Sequence, residues 1–104
     1  MEWRLACGVD DLEPGTSMTW KGAGEEPIAI YRTEDGEFYA THDVCTHDRW
    51  SLGEDSDLEG AEIVCPLHMA RFDIRTGVAL CLPATIGLKT YEVQVEDGKV
   101  YVRC

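Results

Sequence analysis

Apolar positions along this chain recur mostly at every second residue, which is the repeat of strands rather than helices. Tyr91-Glu92-Val93-Gln94-Val95 alternates cleanly, Asp97-Gly98 follows as a hairpin signal, and Val100-Tyr101-Val102 resumes the pattern. Near the other end, Trp3-Arg4-Leu5-Ala6-Cys7 alternates loosely and reads as an early strand. Residues 10–15 read as one helical turn closed by Pro14-Gly15. Ser17-Met18-Thr19-Trp20 and Ile28-Ala29-Ile30-Tyr31 are strand-like, and Glu34-Asp35-Gly36-Glu37 turns the chain into Phe38-Tyr39-Ala40-Thr41. The middle differs. Residues 43–51 are polar and interrupted, whereas residues 58–74 hold Ile63-Val64 and Phe72-Asp73-Ile74, two strand candidates separated by a loop. Gly60 and Gly77 are turn candidates. No stretch supports a long amphipathic helix, and there is no repeat, linker or low-complexity tract. The pattern predicts an all-β protein, an antiparallel sandwich or small barrel whose base carries an inserted, loop-bearing subdomain. The base is expected over about 1–41 and 83–104, the insertion over about 42–82, within a single domain spanning 1–104.

A chain of 104 residues suits one domain. Its 44% hydrophobic content gives a small core of modest stability, which a metal clamping two loops would reinforce. Twenty acidic against nine basic residues leave a net charge of −11. That balance argues against nucleic acid, which requires a basic footprint, and against an anionic membrane surface. It suits solubility, and it also suits a carrier steered towards a basic patch on a partner. Apolar runs are too short to span a bilayer, and Met1-Glu2-Trp3-Arg4 does not read as a signal peptide. A cytoplasmic monomer is expected, in a compartment that keeps thiols reduced, so five cysteines suggest metal ligation more than disulfides.

The chemistry concentrates in Cys45-Thr46-His47 and Cys65-Pro66-Leu67-His68, which together read C-x-H-x17-C-x2-H. Two thiolates and two imidazoles, delivered two per loop, make a metal site. Both structural zinc and Rieske 2Fe–2S clusters take two Cys and two His. The first pair, with one residue between its ligands, is tighter than zinc-finger spacing. His42 reads as a surface or strand-end residue. Cys7, Cys81 and Cys104 read as small apolar residues or surface thiols. Trp50, Met69, Arg49 and Arg71 adjoin the ligands. They suit either a shield and structural ion pair or the centre of a docking patch, where aromatic residues, Met and Arg are enriched.

The C-T-H-x17-C-P-L-H pattern, with Phe72-Asp73, Gly77, Pro83-Ala84 and the closing Leu88, Tyr91 and Val93, resembles the Rieske 2Fe–2S proteins along the whole chain. More narrowly it resembles the small Rieske ferredoxins of bacterial aromatic-ring-hydroxylating dioxygenase systems. The resemblance implies one 2Fe–2S cluster, with Cys45 and Cys65 on the inner iron and His47 and His68 on an outward-facing outer iron. It also implies that a loop bearing Pro83 covers the cluster. High-potential members carry an extra cysteine in each loop and hydroxyl side chains near the cluster. Here Asp48-Arg49-Trp50 and Met69 offer no cysteine, and Ala70 and Phe72 offer no hydroxyl. Fewer hydrogen bonds to the sulfurs imply a potential at the low end of the Rieske range.

No G-x-G-x-x-G fingerprint is present, so the chain does not read as an NAD(P)H reductase, and it is too short for a terminal oxygenase. The expected function is a non-enzymatic, one-electron shuttle from a flavoprotein reductase to a terminal aromatic-ring dioxygenase. A Rieske ferredoxin serving a diiron monooxygenase is the neighbouring alternative. A zinc-stabilised or redox-sensing binding module is the alternative of another class.

Overall fold

The computed structural model describes residues 2–21, 26–45, 50–54, 56–66, 70–80 and 86–104. Among them nine strands form two antiparallel sheets. The larger sheet contains β1 (Trp3–Gly8), β2 (Thr16–Trp20), β3 (Ile28–Arg32), β4 (Phe38–His42), β8 (Thr90–Glu96) and β9 (Lys99–Arg103). Its order is β1-β9-β8-β4-β3-β2. The smaller sheet is β5 (Asp57–Glu59), β6 (Glu62–Cys65) and β7 (Ala70–Asp73), in that order. The chain leaves the larger sheet after His42 and returns to it at Thr90, which pairs with Thr41. The all-β class expected from the period-2 pattern is what the chain adopts.

Local chemistry explains most elements. Asp97 and Gly98 both take positive φ, at 51° and 73°, as the tight turn between β8 and β9 requires. The loose alternation at the start of β1 has a physical cause. The register against β9 shifts between Leu5 and Cys7, so Ala6 is the extra residue of a bulge. The expected helical turn is a 3-10 turn over Val9–Asp11, slightly earlier than the sequence suggests, with the Gly8 N–H donating to Asp11 Oδ2 at 2.8 Å. Strand β5 was not legible. It has three residues and one apolar side chain, Leu58, and it exists by pairing with β6.

Strand β3 connects the two halves of the core. Its Ile28-Ala29-Ile30-Tyr31 run is buried throughout, and its two faces serve different clusters. Ile28 and Ile30 pack with Phe38, Ala40, Val100 and Val102 inside the base. Ala29 and Tyr31 face the other way, into a cluster with Leu52, Ile63, Phe72, Ile74 and Leu88. A continuous apolar strand is the expected signature of burial on both faces. The second cluster is also the one that contains Cys45 and Cys65. The cysteines are therefore seated directly on the back of the base.

Candidate metal centre

Each cysteine stands at the mouth of a four-residue connection. In the first hairpin the Cys45 N–H donates to the Trp50 carbonyl at 3.0 Å, Val44 bridges Ser51, and the Leu52 N–H donates to the Asp43 carbonyl at 2.8 Å. In the second, Cys65 pairs with Ala70 as the last rung of a ladder that runs back through Val64–Arg71, Ile63–Phe72 and Glu62–Asp73. Both thiol side chains turn inward: Cys45 is 3% exposed and Cys65 0%. They share one apolar cluster with Tyr31, Leu52, Ala70 and Phe72. The sequence-predicted cysteines are therefore brought together. His47, His68, Arg49, Met69, Cys81 and Pro83 lie outside the described residues.

The donors present fit a soft-metal cluster. Two sulfurs held in dry, apolar surroundings at the ends of two opposed hairpins suit thiolate ligation of iron. A reactive surface thiol would instead be exposed beside cations. Below them the Tyr31 hydroxyl is 2.8 Å from Thr41 Oγ1, which in turn donates to the His42 carbonyl at 2.9 Å. Tyr31 therefore supplies the proton to Thr41. Burial pushes its hydroxyl far above the ordinary tyrosine range, so it stays neutral. Ala70 and Phe72 are both fully buried and bring no hydroxyl, leaving an apolar wall on the second hairpin.

Of the residues that adjoin the cysteines in sequence, Trp50 and Arg71 are among those described. Trp50 is half-buried and packs against the cysteine cluster, which shields it while leaving part of the ring at the surface. Arg71 takes part in ion pairs within the small sheet. Its Nη1 lies 3.2 Å from Glu59 Oε1 and 3.6 Å from Glu62 Oε1, both in the small sheet. His42 sits at the end of β4, half-buried, with Nδ1 3.9 Å from Glu26 Oε2. Cys7 is buried in the base and Cys104 packs against the same cluster, whereas Cys45 and Cys65 belong to the other one. Leu80 is drawn to the second hairpin by its N–H, which donates to the Arg71 carbonyl at 2.8 Å. Val78, whose carbonyl accepts the Asp73 N–H at 2.9 Å, lies along the same segment, and both side chains are exposed, which makes an apolar rim beside that hairpin. The sequence reading missed this rim. It also missed Asp43, a buried acid two residues before Cys45.

Comparison with known proteins places these features in a family. A model of the Rieske [2Fe-2S] domain matches residues 2–92. The chain is 46% identical over 101 residues to the ferredoxin component of the naphthalene 1,2-dioxygenase/salicylate 5-hydroxylase systems of Ralstonia sp, covering 97% of this chain and 94% of that protein. Among solved structures, it superimposes on the Sphingomonas yanoikuyae B1 ferredoxin with a TM-score of 0.89, 35% identity and 97% coverage of both chains. It also matches a chain in a complex of reduced oxygenase and oxidized ferredoxin in carbazole 1,9a-dioxygenase. There the TM-score is 0.88 and the identity 42%, covering 96% of this chain and 91% of that one.

Proposed function

Because the chain belongs to the Rieske [2Fe–2S] family, we propose that it is the ferredoxin component of an aromatic-ring-hydroxylating dioxygenase system. It accepts one electron from a flavoprotein NAD(P)H reductase and passes it to a terminal oxygenase. The observation that carries this reading is the pair of buried cysteines on opposed hairpins, in a chain whose nearly full length matches ferredoxin components. The match extends far beyond the four ligands, which a zinc module would not account for.

Cys45 and Cys65 would hold the inner iron and His47 and His68 the outer one. A Rieske cluster, when bound, supplies a one-electron site whose two neutral imidazoles raise the potential to about −150 to +300 mV, from about −400 mV for plant-type ferredoxins. The protein's own part is to keep the sulfurs dry and fixed. Leu52, Phe72 and Ile74 exclude water from beneath them. The absence of hydroxyls at Ala70 and Phe72 keeps the potential at the low end of that range. The same reading divides the chain into a base of about 1–41 and 83–104 and a cluster-binding part of about 42–82. It places the protein in the cytoplasm. Among the described residues no helix is long and apolar enough to cross a membrane.

Docking follows from what surrounds the ligands. Trp50, Val78 and Leu80 offer apolar surface close to the hairpins. Weak redox encounters typically bury less than about 1,200 Å² and need such a centre without a large footprint. The decisive test is iron and sulfide analysis with EPR of the reduced protein, followed by stopped-flow transfer to a terminal oxygenase. Two irons, two sulfides and an average g below that of all-cysteine clusters are expected. A colourless protein holding stoichiometric zinc after careful reconstitution would end this reading.

A further inference from the structure

Two residues before Cys45, Asp43 is 3% exposed and its carboxylate is fed by three neutral donors. Thr19 Oγ1 and the Gly53 N–H both donate to Oδ1 at 2.8 Å, and Ser51 Oγ donates to Oδ2 at 2.8 Å. Its main chain is tied as well. The Asp43 N–H donates to the Pro27 carbonyl at 3.1 Å, and the Asp43 carbonyl accepts the Leu52 N–H. These partners come from three places: strand β2, the approach to β3, and the segment that returns from the first ligand loop.

We propose that Asp43 is a positioning residue that aligns the first ligand hairpin on β2 and thereby holds Cys45 opposite Cys65. The inference rests on the Rieske reading of the site. Strand β2 makes its backbone ladder with β3 alone among the named strands, so among the described residues no main-chain ladder ties the first hairpin to β2. Side chains replace it: Ser17 Oγ donates to the Gly53 carbonyl at 3.0 Å, and Thr19 reaches Asp43. The seam is closed tightly. A Cβ at Gly53 would stand 2.5 Å from the Met18 carbonyl oxygen.

Adhesion alone does not call for a carboxylate. Burying one is costly unless donors satisfy it, and an apolar side chain would fill the space without that cost. What the carboxylate adds is direction. Two oxygens with fixed lone-pair geometry can take donors from β2 and from the return segment at once, and this sets the stem's distance and rotation. The second hairpin is fixed by the four-rung ladder between β6 and β7.

The test uses the full chain loaded with cluster. Iron and sulfide at two each per chain in the wild type establish the reading on which the inference stands. The readouts are the rate of bleaching by excess iron chelator and the EPR linewidth of the reduced form. Asp43→Ala strands the buried Gly53 N–H, and bleaching about tenfold faster with a broadened signal is expected. Asp43→Asn should stay within about twofold of wild type. Its amide oxygen still accepts from Thr19 and Gly53, and its NH2 can donate to Ser51 Oγ. Val100→Ala, buried in the base, is the control: a lower thermal midpoint with unchanged bleaching. Should Asp43→Ala fail to fold, Thr19→Val and Ser51→Ala each remove one donor, and intermediate acceleration is expected. The proposal is overturned if the donor-deleting variants bleach at the wild-type rate. It also fails if Asp43→Asn bleaches as fast as Asp43→Ala, or if Val100→Ala bleaches as fast for the same thermal loss. A wild type without iron and sulfide would instead remove the Rieske reading itself, and the proposal with it.

Discussion

The second cysteine-bearing hairpin is an integral part of a three-stranded sheet, whereas the first is a short stem fastened from the side by a carboxylate, three hydroxyls and a glycine seam. Both deliver a buried cysteine to the same apolar cluster. A ladder fixes register through groups every residue possesses, so β6 and β7 need only apolar side chains at alternate positions. A side-chain clamp depends on particular residues and concentrates the outcome in few atoms. The first hairpin should therefore be the more sensitive to single polar substitutions, and the second to changes in packing and backbone.

The largest effect expected is one that the two hairpins share. Cys45→Ser and Cys65→Ser should each abolish most cluster assembly, read as loss of visible absorbance and bound iron. A stable, coloured Cys45→Ser protein would mean that the first hairpin is dispensable and the comparison misplaced.

Backbone crowding comes next. Gly77 has φ +80°, and a Cβ there would stand 2.1 Å from the Leu88 carbonyl oxygen, so both conformation and space forbid alanine. Gly77→Ala should cost about 3 kcal/mol or more, and Gly53→Ala, crowded but without positive φ, about 1–3 kcal/mol. Urea denaturation of both variants checks the order. A larger loss at Gly53 would show that the first seam carries more of the global stability than its few contacts suggest.

Substituting the histidines sharpens the comparison through charge. His47→Cys and His68→Cys each add a thiolate charge, and potentials lower by on the order of 100 mV are expected if a cluster assembles. Protein-film voltammetry measures both. An unchanged or higher potential in either variant would contradict the charge argument.

Smaller still is docking. Trp50→Ala should slow electron transfer to the oxygenase about fivefold to tenfold with an intact cluster spectrum. Glu96→Gln at the end of β8 and Asp97→Asn in the turn after it should change little beyond a milder salt dependence. Arg71 is held by Glu59 and Glu62, so Arg71→Ala is expected to fall between these two. Stopped-flow oxidation of the reduced ferredoxin gives the ranking. The reverse ranking would place docking away from the hairpins.

The smallest effect concerns acid. Hydrogen bonds from the Arg75 side chain, more than from backbone N–H groups, hold the Asp73 carboxyl at the end of β7 below the usual range. A carboxyl lowered on folding adds stability that is fully present above its unfolded value near 4 and is lost as pH falls through the lowered folded value. The difference in urea midpoint between wild type and Asp73→Asn should therefore be constant at neutral pH and shrink below about pH 4. A difference that grew on acidification would reverse the assigned sign.

Much of this protein was readable before any coordinates. Ligand chemistry demands particular residue types at short, local spacing, so Cys45, His47, Cys65 and His68 stand out as candidates within two short segments, and of these the described residues bring Cys45 and Cys65 into one cluster. Strand alternation is equally local, and Asp97-Gly98 specifies its own turn. Tertiary structure alone decided what depends on distant partners. Asp43 becomes a clamp only because Thr19, 24 residues away, is folded beside it. In the sequence it is one acid among twenty. Arg71 finds its acids in the small sheet because β5, too short to announce itself, pairs with β6. The apolar run of β3 declared burial on both faces, but only packing assigned one face to the base and the other to the cysteines. Periodicity records that a side chain avoids water. Which neighbours it meets is settled by the whole chain's closure, and that information is not local.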